Sequence, residues 1–492
     1  MKKIIYTLIA VMVMGFTACK SDDFLEPTPY GLAGDDNFFR NESDALLAIN
    51  ASYRGLRQWY NNFQGDYGWG NIGTDDAWKG GASPADQDPL TALENYEILT
   101  TVGEIVNRWP EDYQGIRNAN KVIANVPNIE MDEALKTRIV GEAYFLRGAY
   151  YFDLVRYFGG VPIYRENFEL AEEYLTVGRS TEQETWDFIE ENMLEAIARL
   201  PKKSEYAAED MGRATKGSAL GFLVRLKAVQ NDMAGVKKYS EELFALGEYE
   251  LALTYREIFQ PAGENGPGSI FEVQFKEANE GGGAVQLGNA TGHAFGPRSG
   301  GSYGGWGFTM AKQELLDEFE EGDPRYEHSF YNIPGQPYAP LDGVNSYFGK
   351  KVAYAPYSDY PIPAQAGDGG VNWRVLRLAD IYLMYAEAVA ESDPATAIEY
   401  VNKVRRRARE GDDSVLPEVP AGTTGQALID AIRHERRVEL NLEGLRKQDL
   451  LRWGRTDLLT PLGFIVGKHE KVPIPQVEID NYGGVLEQNP GY

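Results

Sequence analysis

Two stretches of this 492-residue chain gather aromatic rings beside polar side chains. In the first, Trp59, Tyr60, Trp69 and Trp78 are interspersed with Asn71, Asp75, Asp76 and Lys79; in the second, Tyr303 and Trp306 follow Arg298. A flat indole or phenol face covers the C–H surface of a pyranose, while carboxylates, amides and guanidinium groups at its edge bond the hydroxyls. These residue types fit non-covalent sugar recognition. Trp78 and Trp306 are the strongest candidates, because glycine neighbours leave their faces uncovered. The competing reading has the same rings plugging an interface between lobes. Trp109, Trp186, Trp373 and Trp453 fall in or beside helical patterns and are expected in the core.

Bond-breaking chemistry has poorer support. Adjacent acids such as Asp75-Asp76, Glu320-Glu321 and Asp412-Asp413 invite a glycosidase reading. Yet 74 acidic residues in 492 positions give about eleven such pairs by chance, and neighbours in a helix or strand point different ways. The four histidines, His293, His328, His434 and His469, form no H-E-x-x-H motif. There is no Cys/His ligand cluster and no recognisable triad order. Gly281-Gly282-Gly283 lacks the strand before and helix after that a phosphate loop requires. No catalytic residue and no cofactor is expected.

The elements that position these residues read as mostly helical. Ile139, Leu146, Tyr150, Leu154 and Tyr157 form one apolar stripe, and Val140, Tyr144, Tyr151, Val155 and Phe158 a second, so a helix through this stretch is covered on two faces. Ala143, Gly148 and Ala149 admit close neighbours, and Gly159-Gly160 before Pro162 ends the helix. Glu142, Arg147, Asp153 and Arg156 on this helix must be paired. Further helices are expected over 44–59, 106–126, 131–158, 213–229, 234–246, 374–391, 394–409 and 425–453, with an N-cap and capping box at Thr181 and Glu184 opening another. The run of helix hairpins looks like tetratricopeptide repeats. The stretch 59–89 reads as a loop, and 261–372 as a Gly- and Pro-rich, loop-dominated insertion with a short strand-like segment over 270–275. The basic clusters Arg405-Arg406-Arg407 and 433–437 alternate with glutamates and are assigned to salt bridges.

A formal charge of -26 repels nucleic acid and anionic lipid surfaces and suits a neutral ligand. Lys2 and Lys3 precede an apolar run from Ile4 to Phe16 that is too short to span a bilayer and fits a signal peptide. Cys19, the sole cysteine, follows it in an arrangement resembling a bacterial lipobox, with Phe16 where Leu is usual. The expectation is an exported protein, acylated at Cys19, with the acidic tether that follows resembling a surface-export signal.

The later motifs carry a resemblance. Trp109-Pro110-Glu111-Asp112-Tyr113, Glu142-Ala143-Tyr144-Phe145-Leu146-Arg147, Arg156-Tyr157-Phe158-Gly159-Gly160-Val161-Pro162, Phe319-Glu320-Glu321-Gly322-Asp323-Pro324-Arg325, Glu435-Arg436-Arg437-Val438-Glu439-Leu440 and Asp449-Leu450-Leu451-Arg452-Trp453-Gly454 stand in order behind the lipobox. In this arrangement the chain resembles the SusD/RagB family of Bacteroidetes surface lipoproteins. The resemblance implies a tetratricopeptide-like superhelix supporting an irregular loop-rich lobe with a few short strands. It also implies an outer-membrane, lipid-anchored protein facing the exterior, docked on a SusC-like TonB-dependent transporter and binding oligosaccharide or polysaccharide, or in some members peptide. A protein scaffold with only a protein partner is the further alternative. The expected division is signal peptide 1–18, acylated cysteine and tether 19–36, helical part 37–260, insertion lobe 261–372 and C-terminal helical part 373–492.

Overall fold

The computed structural model describes residues 38–61, 66–101, 104–277, 288–298, 304–333, 346–356 and 358–492. Cys19 and Tyr303 lie outside the described residues. In chain order come α1 (Glu42–Asn61), α2 (Asp66–Asn71), strand β1 (Ala77–Gly80), α3 (Asp88–Glu94), α4 (Glu104–Asn125), α5 (Glu133–Phe158), α6 (Glu182–Arg199), α7 (Lys216–Val229) and α8 (Met233–Ala245). Strands β2 (Ser269–Val273), β3 (Phe308–Ala311), β4 (Phe330–Asn332), β5 (Tyr347–Gly349) and β6 (Trp373–Arg377) follow, with several single-turn helices between them. The chain then continues through α9 (Leu378–Val389), α10 (Pro394–Ala408), α11 (Gly425–Glu439) and α12 (Arg446–Arg452).

The helices form a row in which each packs on its neighbour: α1 on α4, α4 on α5, α5 on α6, α6 on α7 and α7 on α8. Helix α8 packs on α9, so the row closes across the insertion and passes on to α10 and α11. This is the repeat-like layer expected of stacked helix hairpins. Helix α5 has its two apolar stripes covered by α4 and α6 and is buried along nearly all of its length from Ile139. A Cβ on Gly148 would come within 2.8 Å of Met193 Cε on α6, which is why that position is bare. The charges of α5 are paired as their burial demands: Glu142 with Arg138 and Arg213, Asp153 with Arg108 and Arg156. Arg147 donates to Asn192 and Asn120. Thr181 caps α6 reciprocally with Glu184, each backbone N–H donating to the other's side chain at 3.1 and 2.7 Å.

Three expectations need correction. The helix expected over 425–453 is broken at 440–445, where Leu442 and Gly444 take positive φ, into α11 and α12. The stretch 59–89 is not a continuous loop: α1 extends through Asn61, and α2, β1 and α3 follow, each too short to give sustained periodicity. The helix expected from Arg374 starts only at Leu378, because 373–377 pairs as β6 with β2 in an antiparallel two-stranded sheet. An apolar run with buried arginines at 374 and 377 does not distinguish strand from buried helix by period.

A second sheet carries the order β1-β3-β5-β4, all antiparallel. Its far side joins the aromatic cluster of Tyr331, Phe348, Tyr354 and Tyr360. The insertion is tied to the helical row by a buried ion network. Arg325, fully buried, meets Asp323, Glu435 and Glu439, and Arg405 bridges Glu320 and Glu435. The basic clusters thus serve salt bridges, as their interleaved glutamates imply.

Candidate functional site

Pairing across the four-stranded sheet puts Trp78 opposite Met310, Met310 opposite Phe348 and Phe348 opposite Tyr331. Directly opposed residues share a face, so these four side chains form one rung. Three of them are buried; Trp78, on edge strand β1, is partly exposed. One ring face of Trp78 is covered by the Lys312 ammonium, 4.1 Å from the ring centroid, which also donates to the Thr74 carbonyl at 2.6 Å. Burial pushes the Lys312 pKa down. The Trp78 indole Nε1 is buried without a hydrogen bond among the described residues, an unmet donor of the kind native interiors rarely leave.

Trp306 stands just before β3, past the last paired residues Gly80 and Phe308, whereas Trp78 faces Met310 inside the sheet. Its backbone N–H donates to the His293 carbonyl at 2.7 Å, and its ring lies tilted against His293 at 6.1 Å. His293 in turn packs edge-on against Tyr354. The Gly307 carbonyl accepts from Gly81 N–H at 2.7 Å, and a Cβ on Gly80 would sit 2.3 Å from that same oxygen, so the junction needs glycine there. Thr309 adopts φ 56°, a left-handed conformation that costs a β-branched residue about 1–3 kcal/mol. Strain of this size is held only where the surroundings fix it.

Arg298 completes this end of the site. Its Nε donates to the Trp306 carbonyl at 3.1 Å, and its guanidinium pairs with Asp86. Arg298 and Asp86 retain 36% and 24% side-chain exposure, enough to present free N–H and oxygen positions to a ligand. Asp86 was not foreseen; nothing in its sequence neighbourhood points to Arg298, 212 residues away. Lys312 over Trp78 was missed for the same reason.

The remaining candidates lie elsewhere. Trp69 is a core ring at 4% exposure, against Tyr157 at 5.2 Å and under the Lys447 ammonium at 3.5 Å. Asn71 is fully buried and accepts from Gly444 N–H at 3.3 Å. Both are placed by α2, whose short helical turn drives them into the core, so neither presents a surface to a ligand. Asp76 is buried against Arg437 at 2.9 Å, and Asp75 pairs with Arg446 at 2.7 Å and Arg437 at 3.1 Å. Burial opposes the charge on Asp75, but the hydrogen bond and charge of Arg446, with Arg437, hold its pKa below the usual carboxylate range. These two acids link β1 to α11 and α12 and are not free for hydroxyls. Trp59 and Tyr60 lie in the last turn of α1; their side chains lie outside the described part, as does Tyr303. Trp109, Trp186 and Trp373 are core residues as expected. Trp453 instead is half-buried at the wall of a cleft of about 540 Å³, with Arg433 over its ring at 4.7 Å.

Among the described residues no three His, Cys, Asp or Glu side chains gather as a metal site, and no helix is long and apolar enough to cross a membrane. The arrangement offers two partly open indoles with a guanidinium–carboxylate pair beside one of them. It can stack and hydrogen-bond.

Comparison with known proteins agrees with this architecture. The SusD family model matches residues 325–462, and a second model, described as starch-binding associating with outer membrane, matches 77–227. SusD-like protein P25 of Formosa agariphila is 27% identical over an alignment covering 99% of each chain. Among solved structures, a laminarin-binding SusD-like protein is 29% identical, with TM-score 0.82 over 92% of this chain and 100% of that one. Surface glycan-binding protein A from Bacteroides fluxus is 25% identical, with TM-score 0.76 over 92% of this chain and 100% of that one. The helical row, the inserted sheet and the motif order define a SusD-type binding protein. The chain belongs to the SusD/RagB family.

Proposed function

We propose that this protein is a non-catalytic, surface-exposed lipoprotein that captures oligosaccharide or polysaccharide and delivers it to a SusC-like TonB-dependent transporter in the outer membrane. Carbohydrate binding is supported by the likeness to a protein described as laminarin-binding. The observation that carries the reading is the pair of partly exposed indoles near one edge of the four-stranded sheet, Trp78 on edge strand β1 and Trp306 just before its neighbour β3, with the Arg298–Asp86 pair beside Trp306. Two separate indoles suit an oligomer over a monosaccharide, because one sugar ring stacks on one indole face. Anchoring through Cys19 follows from the lipobox-like sequence, and the 261–372 lobe supplies the Trp306 half of the site. Affinity per site is set by two shallow stacking faces and falls between about micromolar and millimolar.

Affinity electrophoresis through gels containing neutral and acidic polysaccharides tests this. Retardation by one polymer that is lost in Trp306→Ala and Trp78→Ala supports capture at the sheet edge. Normal retardation of both variants excludes these residues as the site.

A further inference from the structure

A pocket of about 300 Å³ opens between α1, the turn at 209–213 and β2, away from the residues of the four-stranded sheet. Part of its wall is apolar, including Phe271 and Met211, the latter 41% exposed. Arg57 lines it and makes no hydrogen bond or ion pair among the described residues. Arg54, one turn earlier on α1, is also without a partner. Arg57 is partly buried and Arg54 exposed, whereas the buried arginines among the described residues are tied to carboxylates or carbonyls. Burial, and then the charge of Arg54, push the Arg57 pKa down, as expected of a guanidinium that lacks a compensating anion.

The other charges at the pocket do not neutralise it. Arg213 is satisfied by Glu142 and Asp210. Glu272 accepts from Asn265 N–H and Asn372 and faces Arg374. Glu209 is exposed in the pocket lining and forms no ion pair with Arg57. The pocket therefore holds one open cation beside an apolar wall; Asn50, also in its lining, accepts from Arg213 at its Oδ1 at 2.9 Å and keeps its amide N–H groups for a ligand. Its volume is at the low end of ligand sites and suits an end group over an extended strand.

We propose that this pocket is a second binding site, specific for a carboxylate-bearing sugar. The uronate carboxylate takes a bidentate pair with Arg57, the ring lies on the apolar wall beside Met211, and Asn50 serves a hydroxyl. A terminal uronate is favoured over an acidic peptide because the cavity is compact and the strand in its wall, β2, has its Ile270 and Glu272 carbonyls already taken by Ser218 Oγ and Gln274 Nε2, leaving little to pair with an extended backbone. The inference rests on the reading of this chain as a glycan-binding protein, but on residues that the neutral-sugar site does not use.

Isothermal titration of the full chain in detergent with trigalacturonate and with its uncharged methyl ester tests it, in wild type, Arg57→Ala, Arg57→Lys and Trp306→Ala. The expected result is binding of trigalacturonate weakened about tenfold by Arg57→Ala and by esterification. Arg57→Lys falls between, because an ammonium keeps the charge and loses the fork. Trp306→Ala leaves this affinity unchanged. Arg57 has no hydrogen bond or ion pair to lose among the described residues, so its variants stay close to the wild-type melting temperature. Equal affinity for acid and ester, an unaffected Arg57→Ala, or no binding of trigalacturonate each overturns the proposal. Arg57-dependent binding of trialanyl-aspartate as tight as trigalacturonate overturns its sugar specificity. Neutral polysaccharide binding that is lost in Trp306→Ala while trigalacturonate fails to bind would remove this second site alone. Trigalacturonate binding without any neutral polysaccharide binding would remove the first.

Discussion

Two tryptophans of the same aromatic-rich sequence character are expected to respond in opposite ways to replacement by alanine. Trp306 is partly exposed, and its backbone is held by His293 and Arg298 independently of its ring. If a sugar covers one open indole face of about 60 Å², burial at about 25 cal/mol/Å² is worth about 1.5 kcal/mol, or roughly tenfold in affinity. Trp306→Ala should therefore weaken glycan binding about tenfold while the protein stays folded. Trp69 is 4% exposed, packs on Tyr157 and carries the Lys447 ammonium on its face. Truncating it removes the ring's packing, leaves a cavity and strips the lysine of its best partner, for a loss of about 3–5 kcal/mol in stability. Trp69→Ala should lower the melting temperature by several degrees and, at a temperature where it is folded, bind glycan as wild type does. The assays are thermal denaturation and affinity electrophoresis on both variants. Normal binding by Trp306→Ala together with weakened binding by folded Trp69→Ala would refute the division between surface and core rings.

Three further outcomes are expected from buried charges and a glycine junction. His434 bonds Glu318 at 2.8 Å and Glu320 at 3.3 Å; burial opposes its charge, yet these partners raise its pKa to about 9. Its contribution, about 2 kcal/mol after allowance for partial exposure, is full below the unfolded histidine value near 6.5 and is lost as pH rises through about 9. Urea titrations should thus show a stability gap between wild type and His434→Gln at pH 6 that closes by pH 10. Lys447 is buried with no carboxylate on it, and burial lowers its pKa to about 7. Between that value and 10.5 the unfolded chain binds more protons, so stability rises with pH. Lys447→Met should raise the melting temperature at pH 6 more than at pH 10, with a gain of about 1–3 kcal/mol after loss of the cation–π contacts. Gly80→Ala drives a methyl into the Gly307 carbonyl; glycan binding should fall with little change in helical circular dichroism, since the helical row does not depend on that junction.

The helical row was legible because its signals are redundant. Helix α5 carries two apolar stripes, and α6 opens with a capping box whose hydrogen bonds are all present. The boundary at β6 was not legible: the residues at 373–377 are buried on both sides, so no alternation marks the strand, and only the distant partner β2 decides it. Within the candidate site, the glycines around Trp78 and Trp306 pointed to the rings that remain partly open. Trp69, Asn71 and Asp76 have the same composition around them, but α2 and the arginines at 437 and 446 carry them inward. Burial of a short element by partners some 370 residues away leaves no local trace. Trp453 was assigned to the core from its helical setting; it ends α12 at a charged cleft instead.

The central claim is capture of a glycan by the two indoles at the sheet edge. Affinity electrophoresis of the purified protein and of the Trp78→Ala/Trp306→Ala double variant, through gels containing laminarin and a panel of other polysaccharides, tests it most directly. The account predicts retardation of the wild type by at least one neutral polymer and free migration of the folded double variant. Undiminished retardation of the double variant, or free migration of the wild type through every gel, would contradict it.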